Sequence, residues 1–329
     1  MVGHGSVTRP GVAGMLAVYM AAVKGIIRVG MLRTVYEMFP PRARARIKSL
    51  IGAEGHKSSW IDTLKARDHA LGKKRLDVIA EAMAAKFHLA GISSLRSKRC
   101  LEFGAGNMPS EVLIFDLLGA EQIVATDYNA IARLDMLGDA ARAADRPRIL
   151  AALAPFADGV DLEARLDAVI KRSRSEVTGN VRYIAPYDMS RAPLEGKFDF
   201  INSTSVLEHL PPGNAGDIMA NVAASLEKGG EMLHEVDLRD HLDFAAPLAF
   251  LCQQDDYDRA RDFDARGNRL RRCDWLTLFA EIRDTSTRLA FERTFDGNEI
   301  PPDLSPPWSG LATDELRVSW IGLHTLAVG

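Results

Sequence analysis

Cysteine is scarce in this chain. Cys100, Cys252 and Cys273 are its only three, far apart within 329 residues and in no metal-ligand spacing. No disulfide framework is expected, and the pattern suits a reducing compartment. Net charge is small as well, −3 overall, so no general positive field marks a nucleic-acid binder. A membrane span is missing too: the apolar stretch Gly11–Val23 is interrupted by Lys24 after thirteen residues, whereas crossing a bilayer takes ~20. No internal repeat is visible. These absences leave the composition of an ordinary soluble globular protein, long enough for a sizeable core.

What charge there is lies unevenly. Residues 1–60 hold nine Lys/Arg against Glu37 and Glu54, which leaves +7 there and −10 on the rest. Apolar residues continue beyond Val23 to Phe39 with basic residues between them, and Pro40-Pro41 ends the run. An apolar, basic helix of this kind fits a membrane surface or a protein partner; residues 11–48 are the expected contact. Packing on the protein's own body is the alternative. A helical period returns at Trp60, Ile61 and Leu64, then at Leu76, Ile79, Met83 and Phe87. The expected division is an N-terminal helical extension over 1–95 and a main domain over 96–329.

Residues 98–240 alternate strand and helix, the pattern of a parallel sheet with right-handed crossovers. Strands are predicted at 99–103, 122–126, 181–184, 198–202 and 230–236, with two more at 287–294 and 316–328. About fifty residues separate the second and third strands, longer than a single crossover needs. Their periodicity, with Val160, Leu162, Leu166, Val169 and Ile170 on one face, predicts a helical insertion at 130–180. A further helix is expected at 273–282.

The stretch Leu101-Glu102-Phe103-Gly104-Ala105-Gly106-Asn107-Met108-Pro109 reads as a strand turning into a helix. Glycines there let the backbone turn sharply and approach a ligand. About twenty residues on, Ile123–Thr126 ends in Asp127, placed to accept from ribose hydroxyls. The third glycine of the dinucleotide fingerprint is missing, and Pro109 stands in its place. This disfavours NAD but not a nucleoside without pyrophosphate.

Glu102-Phe103-Gly104-Ala105-Gly106 resembles the first motif of class I S-adenosylmethionine-dependent methyltransferases. Four more stretches follow in that family's order: Thr126-Asp127-Tyr128, Pro186-Tyr187-Asp188-Met189, the run from Phe198 to His209, and Leu226–Glu231. The resemblance implies a doubly wound, mostly parallel seven-stranded sheet, a Rossmann-like methyltransferase fold. It implies S-adenosyl-L-methionine as cofactor, held by Glu102, Gly104, Ala105, Gly106, Asp127, Tyr128, Asp188, Met189 and Ser203. Asp127 would take the ribose hydroxyls, Asp188 the adenine amino group, and Glu102 with the glycine turn the methionyl ammonium. The expected enzyme is cytoplasmic, with a peripheral contact through its N-terminal helix.

An activated methyl donor needs no covalent nucleophile, so the protein's tasks are alignment and proton removal. Two candidates for proton removal stand out. His209 follows the fourth strand. His234 opens the polar strand end His234-Glu235-Val236-Asp237, where alternation puts His234 and Val236 on one face and Glu235 and Asp237 on the other. His234, Asp237 and His241 match no strong metal signature, and no metal is expected. The stretch from His234 through Asp240-His241 to Asn268-Arg269-Leu270-Arg271 is similar to uncharacterised bacterial methyltransferases, some of them associated with cell-surface glycan or secondary-metabolite pathways. The expectation is therefore O-methylation of a small molecule or glycan. A lipid-like acceptor and a non-catalytic cofactor-binding subunit are the alternatives.

Overall fold

The structure is a computed structural model that describes residues 70–171, 180–252, 263–295 and 300–328. All of these belong to a compact unit spanning Ser58–Gly329, separate from a unit at Met1–Lys57. Trp60, Ile61, Leu64 and the expected contact at 11–48 fall outside the described residues.

Seven strands form one sheet: β1 (Arg99–Phe103), β2 (Gln122–Thr126), β3 (Val181–Ile184), β4 (Phe198–Thr204), β5 (Leu226–Asp237), β6 (Thr285–Thr294) and β7 (Val318–Ala327). Their order is β3-β2-β1-β4-β5-β7-β6. The first five run parallel, and β7 and β6 join antiparallel at the edge of β5. The order reverses between β1 and β4, so the carboxyl ends of those strands border the crevice where open α/β sheets bind ligands.

Apolar packing covers both faces of the sheet. On one side lies helix α1 (Leu76–Ala90), whose Leu76, Ile79, Met83 and Phe87 are buried at three- and four-residue steps. Phe87 meets Phe200 of β4 edge-on at 5.6 Å between ring centres. Helix α2 (Glu111–Leu117) is buried along its length against the same face. On the other side, Met219 and Val222 of α6 (Ala215–Ala224) and Trp275 and Phe279 of α8 (Arg272–Ala280) pack on Leu101, Ile201, Met232 and Val236. Between α6 and α8 in the chain lies the short α7 (Phe263–Arg266).

The β2–β3 connection carries α3 (Leu137–Arg142), α4 (Arg146–Leu153) and α5 (Leu162–Lys171). Leu137, Ile149, Leu153, Leu162, Leu166 and Val169 join the same core cluster as α1 and α2. The apolar face read from the sequence is thus used inside the protein's own core. Helix α1, inside the stretch expected as the N-terminal extension, packs on the sheet within the unit that begins at Ser58.

Register places the polar residues. Glu102 pairs with Asn202, Asn202 with Leu233, Ser203 with His234 and Thr204 with Glu235. The alternation read along β5 holds. His234 and Val236 face Phe279 and its cluster, while Glu235 faces α1 and meets Lys86 at 3.1 Å. Among the described residues no helix is long and apolar enough to cross a membrane.

Candidate active site

The glycine turn sits where β1 ends beside β2. Gly104 and Ala105 both donate their backbone N–H to the Thr126 carbonyl, at 2.9 Å each. Gly104 has φ +74° and Gly106 φ +64°, a region that side chains with a Cβ rarely adopt. A Cβ on Gly104 would come within 2.5 Å of both Val206 methyl groups, so the turn lies tight against the segment after β4. On Gly106 a Cβ would meet nothing within 4 Å. The turn is closed by protein on one side and open at its tip.

Asp127 caps the end of β2. Its Oδ2 accepts from Gly106 N and its Oδ1 from Asn129 N, both at 2.8 Å. Its backbone carbonyl accepts from Tyr187 N at 2.9 Å, which ties the segment after β3 to the same edge. Asp188 follows there, its Oδ1 accepting from Ser190 N at 3.0 Å and Ser190 Oγ at 2.6 Å. The Ser190 hydroxyl holds the Asp188 carboxyl below the usual carboxylate range. Met189 is buried beside it, and Tyr128 stands 62% exposed.

Glu102 lies beneath the turn. It is buried, and its Oε2 accepts from Asn202 Nδ2 at 2.8 Å. Burial, and then the neighbouring Glu111, push its carboxyl up to about 8. Lys74 pairs with Glu111 at 2.5 Å, and Lys86 donates to Thr204 Oγ1 at 2.7 Å. Helices α1 and α2 thus bring Lys86 and Glu111 to the ends of β1, β4 and β5, charges absent from the expected site. Lys86 falls on the apolar side of α1 by its helical spacing, and that was the available signal.

Of the two proton-removing candidates, one is excluded by burial. His234 is 0% exposed, its Nδ1 lies 2.7 Å from Ser203 Oγ, and its ring packs on Phe279 at 5.7 Å. Burial drives its pKa down to about 3, so it stays neutral in the core. Ser203 is equally buried as its partner, so neither residue reaches the ligand edge. The polar strand end misled because strand alternation turned His234 inward, towards α8.

His209 lies elsewhere, in a short 3₁₀ turn (Leu207–His209) after β4. Asn268 clamps that turn: its backbone N–H donates to Glu208 O at 2.6 Å and its Nδ2 to Leu207 O at 2.9 Å. The His209 and His241 rings meet at 4.9 Å. His241 Nε2 lies 3.3 Å from Asp237 Oδ2, and Arg239 grips both oxygens of Asp237 at 2.8 and 2.7 Å. Burial would raise the Asp237 carboxyl, but its contacts with Arg239 and His241 together outweigh it and hold the group low. Arg239 is itself sandwiched between the Phe244 and Trp320 rings, at 4.9 and 4.8 Å. Glu208, Asp237, Gly267, Asn268 and Arg269 converge there. Glu208 stands beside His209 in the sequence, while Asn268 and Arg239 come from remote loops that no spacing rule connects.

These two groups of residues suit a nucleoside carrying an amino acid: an open glycine tip, carboxylates after β2 and β3, and a buried acid beneath. A model of the methyltransferase-domain family matches residues 77–281. A search of curated proteins returns no match. Solved structures with a similar course include an S-adenosylmethionine-dependent methyltransferase from Mesorhizobium loti, at 13% identity, covering 76% of this chain and 99% of that one with TM-score 0.42. An N-methyltransferase from Bradyrhizobium japonicum WM9 in complex with S-adenosyl-l-homocysteine is 14% identical over 75% of this chain and 86% of its own, with TM-score 0.36. A magnesium protoporphyrin IX methyltransferase from Synechocystis PCC 6803 is 10% identical over 84% and 99%, with TM-score 0.42. The assignment rests on the family model, which covers well over half of the chain: this protein belongs to the methyltransferase-domain family, as a class I S-adenosylmethionine-dependent methyltransferase.

Proposed function

We propose that this enzyme methylates a hydroxyl oxygen of a small molecule or glycan, with the acceptor entering over Glu208, His209, Asp237 and His241. The observation that carries this reading is the convergence of two imidazoles and two carboxylates at the carboxyl ends of β4 and β5. They stand at the sheet edge that also carries the glycine turn. Hydroxyl acceptors need a proton removed during transfer, and imidazole is the side chain best matched to that work at neutral pH.

In this reading Asp127 and Asp188 hold the ribose and adenine of S-adenosylmethionine, and Glu102 and the Gly104-Ala105-Gly106 turn hold its amino-acid end. Tyr128 and Met189 flank the adenosine. The cofactor supplies a methyl group already activated on a sulfonium. The chain's own residues align the acceptor, and His209 takes its proton. Arg239, fixed between two aromatic rings, keeps Asp237 beside His241.

Isothermal calorimetry tests the cofactor half: S-adenosylhomocysteine should bind and NADH should not. A panel of hydroxylated and aminated acceptors, followed by mass, tests the other half. Transfer to amines alone would overturn the oxygen assignment.

A further inference from the structure

Glu208, His209 and His241 each bring one ligand atom within 4.8 Å of the others. Glu208 is 2% exposed, and neither of its carboxylate oxygens has a hydrogen-bond partner among the described residues. Its Oε1 lies 3.9 Å from His241 Nε2, a buried atom that also stands 3.3 Å from Asp237 Oδ2. A carboxylate taken out of water without a donor costs several kcal/mol. Such a group either carries a proton or faces a cation.

The imidazoles favour the cation. His209 Nδ1 lies 3.2 Å from the Phe263 carbonyl, which can only accept. A proton on Nδ1 donated to that carbonyl orients the ring in the way ligating histidines usually are, held through one nitrogen and turned towards the cluster with the other. The turn carrying Glu208 and His209 is held by three hydrogen bonds from Asn268, to Glu208 O, Leu207 O and Leu210 O. On the other side, His241 N donates to Arg266 O at 3.1 Å, and Arg266 pairs with Asp240. The donors therefore sit on clamped backbone rather than on free loops.

We propose that Glu208, His209 and His241 form a site for a divalent transition-metal cation, of the Zn²⁺, Fe²⁺ or Mn²⁺ kind. Two imidazoles and one carboxylate suit such ions, whereas Mg²⁺ and Ca²⁺ prefer all-oxygen sites. Ligands on a tetrahedral ion with bonds of about 2.0–2.1 Å stand roughly 3.4 Å apart, so small side-chain rotations close the present spread. Three protein ligands leave a coordination position open. Its use by an acceptor oxygen rests on the functional reading above, and the cation site itself does not. With the ion seated, His209 is a ligand in place of the base of that reading: the ion lowers the acceptor's pKa, and the hydroxyl proton leaves to solvent water before the methyl group is transferred.

The test uses the full chain, stripped by chelator and titrated with Co²⁺ as a visible probe, then with Zn²⁺ in competition. The expected result is saturable binding of a single Co²⁺ per chain with d–d absorption, displaced by Zn²⁺. Glu208→Gln, His209→Ala and His241→Ala should each weaken it by about tenfold or more. S-adenosylhomocysteine calorimetry on the same samples reports whether each variant is folded. The two His variants stand in if Glu208→Gln is not, since both rings are only part-buried. No saturable binding at millimolar Co²⁺ or Zn²⁺ would overturn the site, as would binding that all folded variants retain. Wild-type chain that binds Co²⁺ but not S-adenosylhomocysteine would overturn the functional reading and leave the cation site standing.

Discussion

Asp127 both shapes the turn and faces the ligand edge. Its two carboxylate oxygens already accept from Gly106 N and Asn129 N, and each has a second lone pair for a ribose hydroxyl. Asp127→Ala should weaken S-adenosylhomocysteine binding by roughly 1.5–3 kcal/mol, a charge-assisted hydrogen bond. That is roughly ten- to a hundredfold by calorimetry, and an unchanged affinity would remove Asp127 from the site. Glu102 gives a pH signature. Its carboxyl, pushed up to about 8 by burial and then by Glu111, is mostly protonated at pH 7. In the placement proposed above, the ligand's ammonium meets Glu102 and favours its ionised form, so binding should release a proton below about pH 8. Affinity for S-adenosylhomocysteine should climb from pH 6 to about 8 and then level off, by at most tenfold per pH unit. At pH 7 the measured enthalpy should also vary with the buffer's ionisation enthalpy. Glu102→Gln should abolish both effects.

At the scale of the strand-to-helix element, the two glycines of one turn should fail in different ways. Both have positive φ, which costs a Cβ-bearing residue ~1–2 kcal/mol. Gly104→Ala adds a clash at 2.5 Å with both Val206 methyls, so its melting temperature should fall furthest and recover in part with Val206→Ala. At Gly106 a Cβ has open space within 4 Å. With the cofactor at the open tip, as proposed above, Gly106→Ala should melt closer to wild type yet lose S-adenosylhomocysteine binding. Equal melting temperatures with intact binding in both would show that the turn's tip does not face the cofactor. The element also explains a misreading. Along β5 the alternation was correct, but it could not say which face meets α8 and which meets α1, and His234 turned out to point into the core.

For the whole molecule, the hairpin beside β5 is fastened by one buried cation. Arg271 donates to the carbonyls of Leu238, Leu316 and Val318, joining the end of β5 to α9 (Thr313–Leu316) and β7. Burial lowers its pKa to about 10, still far above neutrality. Arg271→Met should cost about 3–5 kcal/mol, since three buried carbonyls lose their donor. Thermal unfolding should show a loss of several degrees for each of the first few kcal/mol. A drop of under one degree would mean that water replaces the guanidinium.

The sequence by itself determined the α/β alternation, seven strands close to their true positions, the helical insertion and the ordered motifs from Glu102 to Glu231. These are local: period, glycine and proline placement, and carboxylates after strands are written in consecutive residues. The apolar face of α1 was legible for the same reason. Only the tertiary structure decided that Lys86 meets Glu235, that Asn268 clamps Glu208, and that His241 lies against His209 while His234 does not. Such contacts join residues far apart in the chain, and their energy comes from burial, where a carboxylate or imidazole must find a partner or stay neutral. Burial depends on which faces of the sheet are covered, a property that no stretch of sequence carries alone.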